Sequence, residues 1–117
     1  MTMRMLSKAE LLSRHATHQT GEAWTESDII AQLEVLPGWE YSHSVLSNTY
    51  QFKNYYDTLA FVNALAWVIH REDHHPDLVV SYNHCTVSFT THSVQGISDN
   101  DFICAAKTDA VFAQTYR

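Results

Sequence analysis

Residues 55–76 read YYDTLAFVNALAWVIHREDHHP, and this stretch decides the fold of the 117-residue chain. It predicts a long central helix over residues 55–74, which ends there because Pro76 disfavours helical geometry at the residue before it. Between residues 59 and 69 only Asn63 is strongly polar. A helix that lies on a sheet and faces water shows one apolar stripe, whereas this helix is apolar almost all the way round. Something must therefore cover its outer side.

The predicted cover of the central helix is a second copy of the chain. In so small a protein, a homo-oligomer with closed symmetry is the simplest arrangement that buries an additional apolar face. The alternative is that the N-terminal segment folds over the helix.

Outward from the helix, alternating apolar and polar residues predict two β-hairpins. Their strands and turns are residues 39–46 and 49–52 around Ser47-Asn48, and residues 78–82 and 86–91 around Asn83-His84. A helix that begins at Thr25 and ends at Pro37-Gly38 precedes the first hairpin, and a helix capped by Ser98 follows the second. The order α-β-β-α-β-β-α contains local hairpins and no alternation of single strands with helices. It predicts an α+β fold in which helices cover one face of a four-stranded antiparallel sheet.

The N-terminal part of the chain has a weaker pattern. Ser7-Lys8-Ala9-Glu10 is a capping-box pattern for a short helix to about Arg14, but residues 15–23 are polar and lack a period. We therefore expect residues 1–24 to be a loosely ordered and loosely attached extension, with Trp24 as a possible anchor. Residues 25–117 are expected to form one domain.

The charge, the cysteine content and the apolar runs of the sequence argue against three classes of protein: nucleic-acid-binding, disulfide-rich and membrane-spanning proteins. Seven Lys and Arg against thirteen Asp and Glu give a net charge of −6, and no basic run offers a patch for a phosphate backbone, which argues against direct nucleic-acid binding. Cys85 and Cys104 lack C-x-x-C spacing and are too few for a disulfide framework. No apolar run reaches the ~20 residues that a bilayer requires. The sequence thus predicts a cytoplasmic protein without membrane association.

The end of the central helix is dense in groups that exchange protons. An imidazole has a pKa of about 6.5, so the cluster of His70, His74 and His75 suits proton transfer near neutral pH. His74 falls in the predicted last turn, where the negative end of the helix dipole favours the imidazolium form. His75, held outside the helix by Pro76, points in another direction, so the two histidines could grip a ligand from two sides. His92 belongs to the polar series of the last strand and can face a cleft at its exit.

Other ionisable residues have simpler interpretations. Asp101 stands three residues after Ser98 and is predicted to complete the N-terminal cap of the last helix, from where it could also orient His92. Three further histidines are expected to be surface groups: His84 in a turn, and His15 and His18 in the extension.

A metal site is the alternative to proton transfer by free imidazoles. His70-x-x-x-His74 has the spacing of a zinc pair on a helix. However, Arg71 stands where the HExxH protease pattern has its Glu, and no Cys lies near the cluster. We therefore expect no functional metal.

Taken together, these motifs resemble the pterin carbinolamine dehydratase family. The resemblance is carried by His74-His75-Pro76, with His70, Tyr82, His92 and Asp101 at matching spacings, and by Leu36-Pro37-Gly38-Trp39, Phe61-Val62-Asn63 and Asp99-Asn100-Asp101-Phe102. Only residues 1 to about 24 lie outside it. The family fold is a four-stranded antiparallel sheet backed by helices and assembled into dimers or tetramers.

The resemblance implies an activity. The expected reaction is the dehydration of 4a-hydroxytetrahydropterin to quinonoid dihydropterin, which recycles the pterin of an aromatic amino-acid hydroxylase such as phenylalanine hydroxylase. It implies His74 and His92 as the acid/base pair and His75 as a positioning residue, and it requires no bound cofactor. The remaining site residues, expected to bind the substrate, are His70, Asp73, Thr90, Thr91 and Asp101.

One departure and one rival role accompany the resemblance. Animal members of the family have Glu at the position of His70, while bacterial relatives often share the histidine, so the role of that Glu cannot be carried over. Animal relatives also stabilise the dimer of a transcription factor through helices like the central one. A protein-binding cofactor, or a partner that stabilises a hydroxylase, is therefore the alternative function, although a pure scaffold would not need the full histidine set.

Overall fold

The structure is a computed structural model, and it describes residues 5–115. Its elements follow the predicted order, and a short helix at the N-terminus precedes them. Their bounds are α1 Lys8–Ser13, α2 Glu26–Gln32, β1 Glu40–Ser42, β2 Val45–Gln51, α3 Tyr55–Glu72, β3 Asp77–Val80, β4 His84–Phe89 and α4 Asp99–Thr115, with 3₁₀ turns at Leu33–Val35 and His92–Val94. The predicted α+β class is confirmed. None of the helices within residues 5–115 is long and apolar enough to cross a membrane.

The four strands form one antiparallel sheet in the order β1-β2-β4-β3. In β4 the side chains of Cys85, Val87 and Phe89 are buried, while the residues between them are half-buried, which is the alternation of a strand with one covered face. The helices lie on that face, as the sequence predicted. On the other face, the hydroxyls of Thr49 and Thr86 form a hydrogen bond of 2.7 Å between β2 and β4.

In both hairpins, the turn lies at different residues from those that the sequence predicted. The first turns at His43-Ser44, where both residues have positive φ (51° and 65°), and Ser42 pairs with Val45. The predicted turn residues Ser47 and Asn48 instead lie inside β2 and pair with β4. Two left-handed residues suit the twist of a two-residue hairpin, and the pairing of β2 with β4 sets its position. The second hairpin turns at residues 81–83.

Helix α3 packs one side against the core and leaves the other uncovered within the described chain. Its buried residues include Phe61 and Leu65, whereas Trp67 is 76% exposed. Helix α1 packs against α4, and it leaves Trp67 exposed. The apolar outer side predicted from the sequence is therefore present, and α1 does not cover it.

The described part of the N-terminal segment is attached more closely than expected. Leu6, Leu11 and Trp24 are all buried in the core, and the backbone of Leu6 forms two hydrogen bonds of 2.8 Å with the Gln32 side chain. The Trp24 ring packs on Phe102 with 4.6 Å between ring centroids, so it acts as the predicted anchor. The three apolar residues are irregularly spaced along a polar segment, so no periodic signal marked them. Residues 1–4 lie outside the described residues, and the domain boundary at residue 24 stays a prediction.

Candidate active site

The turn after α3 sets the direction in which the adjacent residues His74 and His75 leave the helix. The helix ends at Glu72, earlier than predicted, because Asp73 adopts left-handed geometry (φ 50°, ψ 42°) and its N–H donates to the Ile69 carbonyl. Aspartate is one of the few non-glycine residues that visit this region at small cost. His74 therefore lies outside the helix and not in its last turn, where the sequence predicted it.

A buried carboxylate holds His74 instead. Its Nε2 lies 2.6 Å from Oδ1 of Asp101; the Asp101 side chain is fully buried, and that of His74 is 12% exposed. A carboxylate only accepts, so Nε2 carries the proton and Nδ1 is the nitrogen left for a substrate. The imidazole also lies parallel to the Phe89 ring, with 5.8 Å between centroids. These contacts fix one orientation and one tautomer of His74.

Asp101 also caps helix α4. Its Oδ2 accepts hydrogen bonds from the Ser98 N–H at 2.9 Å and from the Thr91 hydroxyl at 2.7 Å. The bond from Ser98 is the predicted cap. The expectation that Asp101 orients His92 is corrected, because the oxygen not used in the cap meets His74. At the end of β4, Thr91 is buried against Asp101 while His92 is exposed.

The three histidines expected to act in catalysis line one cavity of about 490 Å³, within the size range of small-molecule sites. His92 opens the 3₁₀ turn after β4 and is exposed. The His75 side chain is 69% exposed and stands 3.7 Å from a carboxylate oxygen of Asp73. Of these three histidines, His74 is fixed by contacts with Asp101 and Phe89, whereas His75 and His92 are exposed to solvent.

Only some of the residues expected to bind the substrate line the cavity. Asp73, Thr90 and Thr91 line the cavity, but His70 does not. His70 is exposed on α3, and Asp101 lies behind His74. The Thr91 N–H donates to the Gly96 carbonyl at 2.8 Å, so this amide supports the 3₁₀ turn and is not free to bind an edge of a substrate.

Sequence reasoning missed one wall of the cavity. Residues 16–19 of the presumed extension line it, together with Asn100 and Glu72. His18, expected to be a surface group, is among them. The only local signal was the pair of histidines, His15 and His18, in a segment that otherwise lacked a pattern.

Glu72 is a buried carboxylate in the wall of the cavity. Its side chain is 1% exposed and accepts from the Ala16 N–H at 2.7 Å and from His15 Nδ1 at 2.9 Å, while Lys107 Nζ lies 3.4 Å away. Burial alone would raise the pKa of Glu72, but these hydrogen bonds and the positive charges of Lys107 and His15 bring it below its ordinary value. The carboxylate therefore ties the N-terminal segment to α3 and α4.

Metal-ligand geometry is not formed by the described residues. Between residues 5 and 115, no group of three or more His, Cys, Asp or Glu side chains is placed to hold a metal ion. The helical zinc pair considered for His70 and His74 would need both on one helix, and His74 lies beyond the end of α3. Cys85 and Cys104 are free and buried, and burial, together with the charges of Glu72 and Asp101, raises the pKa of the Cys104 thiol to about 12.

Known proteins resemble the chain in both sequence and structure. The sequence model of the family described as pterin 4 alpha carbinolamine dehydratase matches residues 22–111. Proteins of Bdellovibrio bacteriovorus (51% identical, 92% of each chain) and Stenotrophomonas maltophilia (52% identical, 93% of each chain) both carry the name "Putative pterin-4-alpha-carbinolamine dehydratase". The solved structure of a transcriptional coactivator/pterin dehydratase from Brucella melitensis is similar, with a TM-score of 0.73 at 28% identity, over 77% of this chain and 98% of that one. The family match includes every cavity residue except residues 16–19.

Proposed function

The chain belongs to the pterin 4 alpha carbinolamine dehydratase family, and we propose that it is a hydro-lyase that removes water from a 4a-hydroxytetrahydropterin to give quinonoid dihydropterin. The observation that carries this proposal is the single cavity lined by His74, His75 and His92, in which the buried Asp101 fixes His74.

The reaction requires one proton to be delivered and one to be removed. As the C4a–O bond breaks, the oxygen takes up a proton and leaves as water. A ring N–H of the pterin gives up its proton, and the electrons of that bond become the new double bond of the product. Two histidines in one cavity supply a donor and an acceptor for these transfers, and the net proton count of the cavity does not change.

The two histidines differ in a way that suggests their roles. Asp101 holds His74 with the proton on Nε2, so Nδ1 of the neutral ring is a positioned acceptor, and we assign it as the base for the ring N–H. His92 is exposed, so its imidazolium form can protonate the leaving oxygen. The cycle closes when His74 releases the proton that it took up and His92 takes one up from solvent. His75 then positions the pterin between them.

The carboxylate of Asp73 is proposed to accept hydrogen bonds from the amino-pyrimidine edge of the pterin, and Thr90 to line the same edge, because both residues line the cavity. His70 lies outside the cavity lining, so its expected role in substrate binding has no support from the geometry of one chain.

The proposed reaction implies a supplier of substrate. A 4a-hydroxytetrahydropterin forms when an aromatic amino-acid hydroxylase uses its pterin, so we propose a functional link to such an enzyme, with phenylalanine hydroxylase as the first candidate. We further propose that the chain is a homodimer or homotetramer, because Trp67 is exposed on the outer side of α3. The cytoplasmic location stays a prediction.

A protein-binding role is the second candidate. The Brucella melitensis structure is described as a transcriptional coactivator as well as a pterin dehydratase. In this chain, Tyr56 and Trp67 expose large apolar surfaces on α3, which a partner protein could cover. A hydroxylase stabilised by the same surface is a variant of this role. Because neither residue lines the cavity, binding and catalysis can coexist.

Turnover tests the proposed function directly. In a coupled hydroxylase assay, the protein should accelerate the loss of the 4a-hydroxypterin absorbance. His74→Ala or His92→Ala should lower turnover by ~10²-fold or more with the fold intact, because a general acid or base typically contributes ~10²–10⁴-fold. His84→Ala is the matched control: His84 lies outside the cavity, so this variant should retain wild-type turnover.

A chelator experiment distinguishes proton transfer by free imidazoles from catalysis by a metal ion. Dialysis against a strong chelator should leave turnover unchanged if the histidines act as free imidazoles. Activity that disappears and returns only with Zn²⁺ would contradict that reading. Wild-type rates in both histidine variants would overturn the assignment of the residues, and no acceleration by the wild-type protein would overturn the function itself.

A further inference from the structure

A short segment that precedes the match to the family model borders the cavity. Residues 16–19, here called the strap, line it alongside the histidines, whereas the family match begins at residue 22. Three sets of hydrogen bonds, here called ties, hold the strap in place, and they end at Glu72 of α3, at Asn100 of α4 and at Ser93 in the turn that carries His92.

The first tie ends on α3. The Ala16 N–H donates to Oε1 of Glu72 at 2.7 Å, and His15 Nδ1 lies 2.9 Å from Oε2 of the same carboxylate. Glu72 is the last residue of α3 and immediately precedes the left-handed Asp73 that directs His74 into the cavity. The start of the strap is therefore fixed to the turn that carries His74.

The second tie ends on α4. The Thr17 N–H donates to Oδ1 of Asn100 at 3.0 Å, and Nδ2 of Asn100 donates to the Thr17 carbonyl at 2.7 Å. Both backbone polar groups of Thr17 are thus bonded to one buried amide side chain. Asn100 directly precedes Asp101, the partner of His74, so one turn of α4 holds both the strap and the histidine.

The third tie ends on the turn that carries His92. The Ser93 hydroxyl donates to the Gln19 carbonyl at 2.8 Å, and Ser93 directly follows His92. The strap thus bridges the two loops that bear the proposed base and the proposed acid. A segment tied at both loops also sets how far apart they stand.

The hydrogen bonds described above use the Ala16 N–H, the N–H and carbonyl of Thr17, and the Gln19 carbonyl. The His18 side chain is exposed and borders the cavity. An imidazole offers one donor and one acceptor, which suits the polar edges of a flat heterocycle.

We propose that the strap is a wall of the pterin site and that His18 is a further residue in contact with the substrate. This inference rests on the proposed function. It makes His18 a determinant of substrate affinity, and it makes Ser93 a positioning residue that acts through the strap.

Ligand binding and steady-state kinetics test the proposal on the full chain. The probe is 7,8-dihydropterin, and its binding is followed by fluorescence. His18→Ala should weaken probe binding and raise KM by roughly three- to tenfold, the factor for one lost hydrogen bond, while kcat changes by less than about twofold. Ser93→Ala should raise KM by about two- to fivefold, and Ser93→Thr, which keeps the hydroxyl, should restore it. His84→Ala is the control.

A direct structural readout completes the test. On addition of 7,8-dihydropterin to the wild-type protein, the amide NMR signals of residues 16–19 should shift, and intermolecular NOEs should connect the His18 ring with the probe. Unchanged KM and probe affinity in both His18→Ala and Ser93→Ala, alongside normal wild-type turnover, would overturn the role of the strap alone. A wild-type protein that neither binds the probe nor turns over would overturn the proposed function and this inference with it.

Discussion

At the scale of single residues, the candidate site depends on how Asp101 divides its two oxygens. One oxygen satisfies backbone and hydroxyl donors at the start of α4, and the other meets His74. A helix cap and an aligned imidazole therefore share one buried carboxylate. The Asp101 side chain is fully buried and that of His74 is 12% exposed, so solvent has little access to the pair.

Asp101→Asn is expected to impair both functions. An amide has one carbonyl oxygen for the three donors that surround Asp101, and its NH₂ group can force the other tautomer of His74. We expect kcat to fall by ~10²-fold or more, with an altered pH profile, and stability to fall by about 1–3 kcal/mol. Asp99→Asn is the matched control, since Asp99 accepts from Trp24 and not from a histidine. Equal kcat and pH profiles in the two variants would contradict the orienting role.

At the scale of elements, Glu72 joins three parts of the chain. It ends α3, it accepts from the N-terminal segment at Ala16 and His15, and it lies beside Lys107 of α4. Lys107 also reaches back to the Leu12 carbonyl at 3.3 Å. The N-terminal segment is therefore attached by buried charge as well as by apolar contacts.

This attachment should depend on pH. The folded protein lowers the pKa of Glu72 from its ordinary value of 4.5, so at acidic pH the unfolded chain binds the extra proton. The stabilisation is present above pH 4.5 and is lost as the pH falls through the lowered value. Glu72→Gln should cost about 1–3 kcal/mol near pH 7, and its difference from the wild type should shrink under acid. Urea unfolding at a series of pH values measures this.

The control for that series is Glu22→Gln, at an exposed carboxylate outside the cavity. It should leave the unfolding free energy close to that of the wild type at each pH. A Glu72→Gln curve that runs parallel to the wild type from neutral to acidic pH would refute the role of the carboxylate in holding the segment.

At the scale of the whole molecule, one apolar surface has no cover within the described chain. The inner side of α3 is packed in the core, and Trp67 on its outer side is largely exposed. Large exposed aromatic residues are more typical of an interface than of a free surface. The exposed apolar side that the sequence predicted for α3 is thus present, and its cover by a second chain stays a prediction.

Light scattering should show an assembly of at least two wild-type chains at micromolar concentration. Trp67→Glu should give a smaller, folded species, because an unpaired charge buried at an interface costs several kcal/mol. Ile30→Glu is the matched control: Ile30 is another large exposed apolar residue, but it lies on α2, and its replacement should leave the assembly intact. A wild-type protein that is monomeric at all accessible concentrations would refute the oligomer.

Local patterns in the sequence determined the order of the elements and the identity of the central chemical groups. Alternation marked the strands, Pro76 marked the approach to the end of α3, and Ser98 marked the start of α4. These signals reach only a few residues along the chain, because helix and strand periods and caps are local. The histidine cluster was visible for the same reason, since His74 and His75 are neighbours in sequence.

Only the tertiary structure decided which groups meet. The partner of His74 is 27 residues away and the partner of Thr17 is 83 residues away. The first hairpin turns at His43-Ser44 because β2 pairs with β4 as well as with β1. No local period records such pairings, since they depend on how separate elements pack around one core. For that reason the sequence could name His74 and Asp101 but not join them, and it could not place residues 16–19 at the cavity.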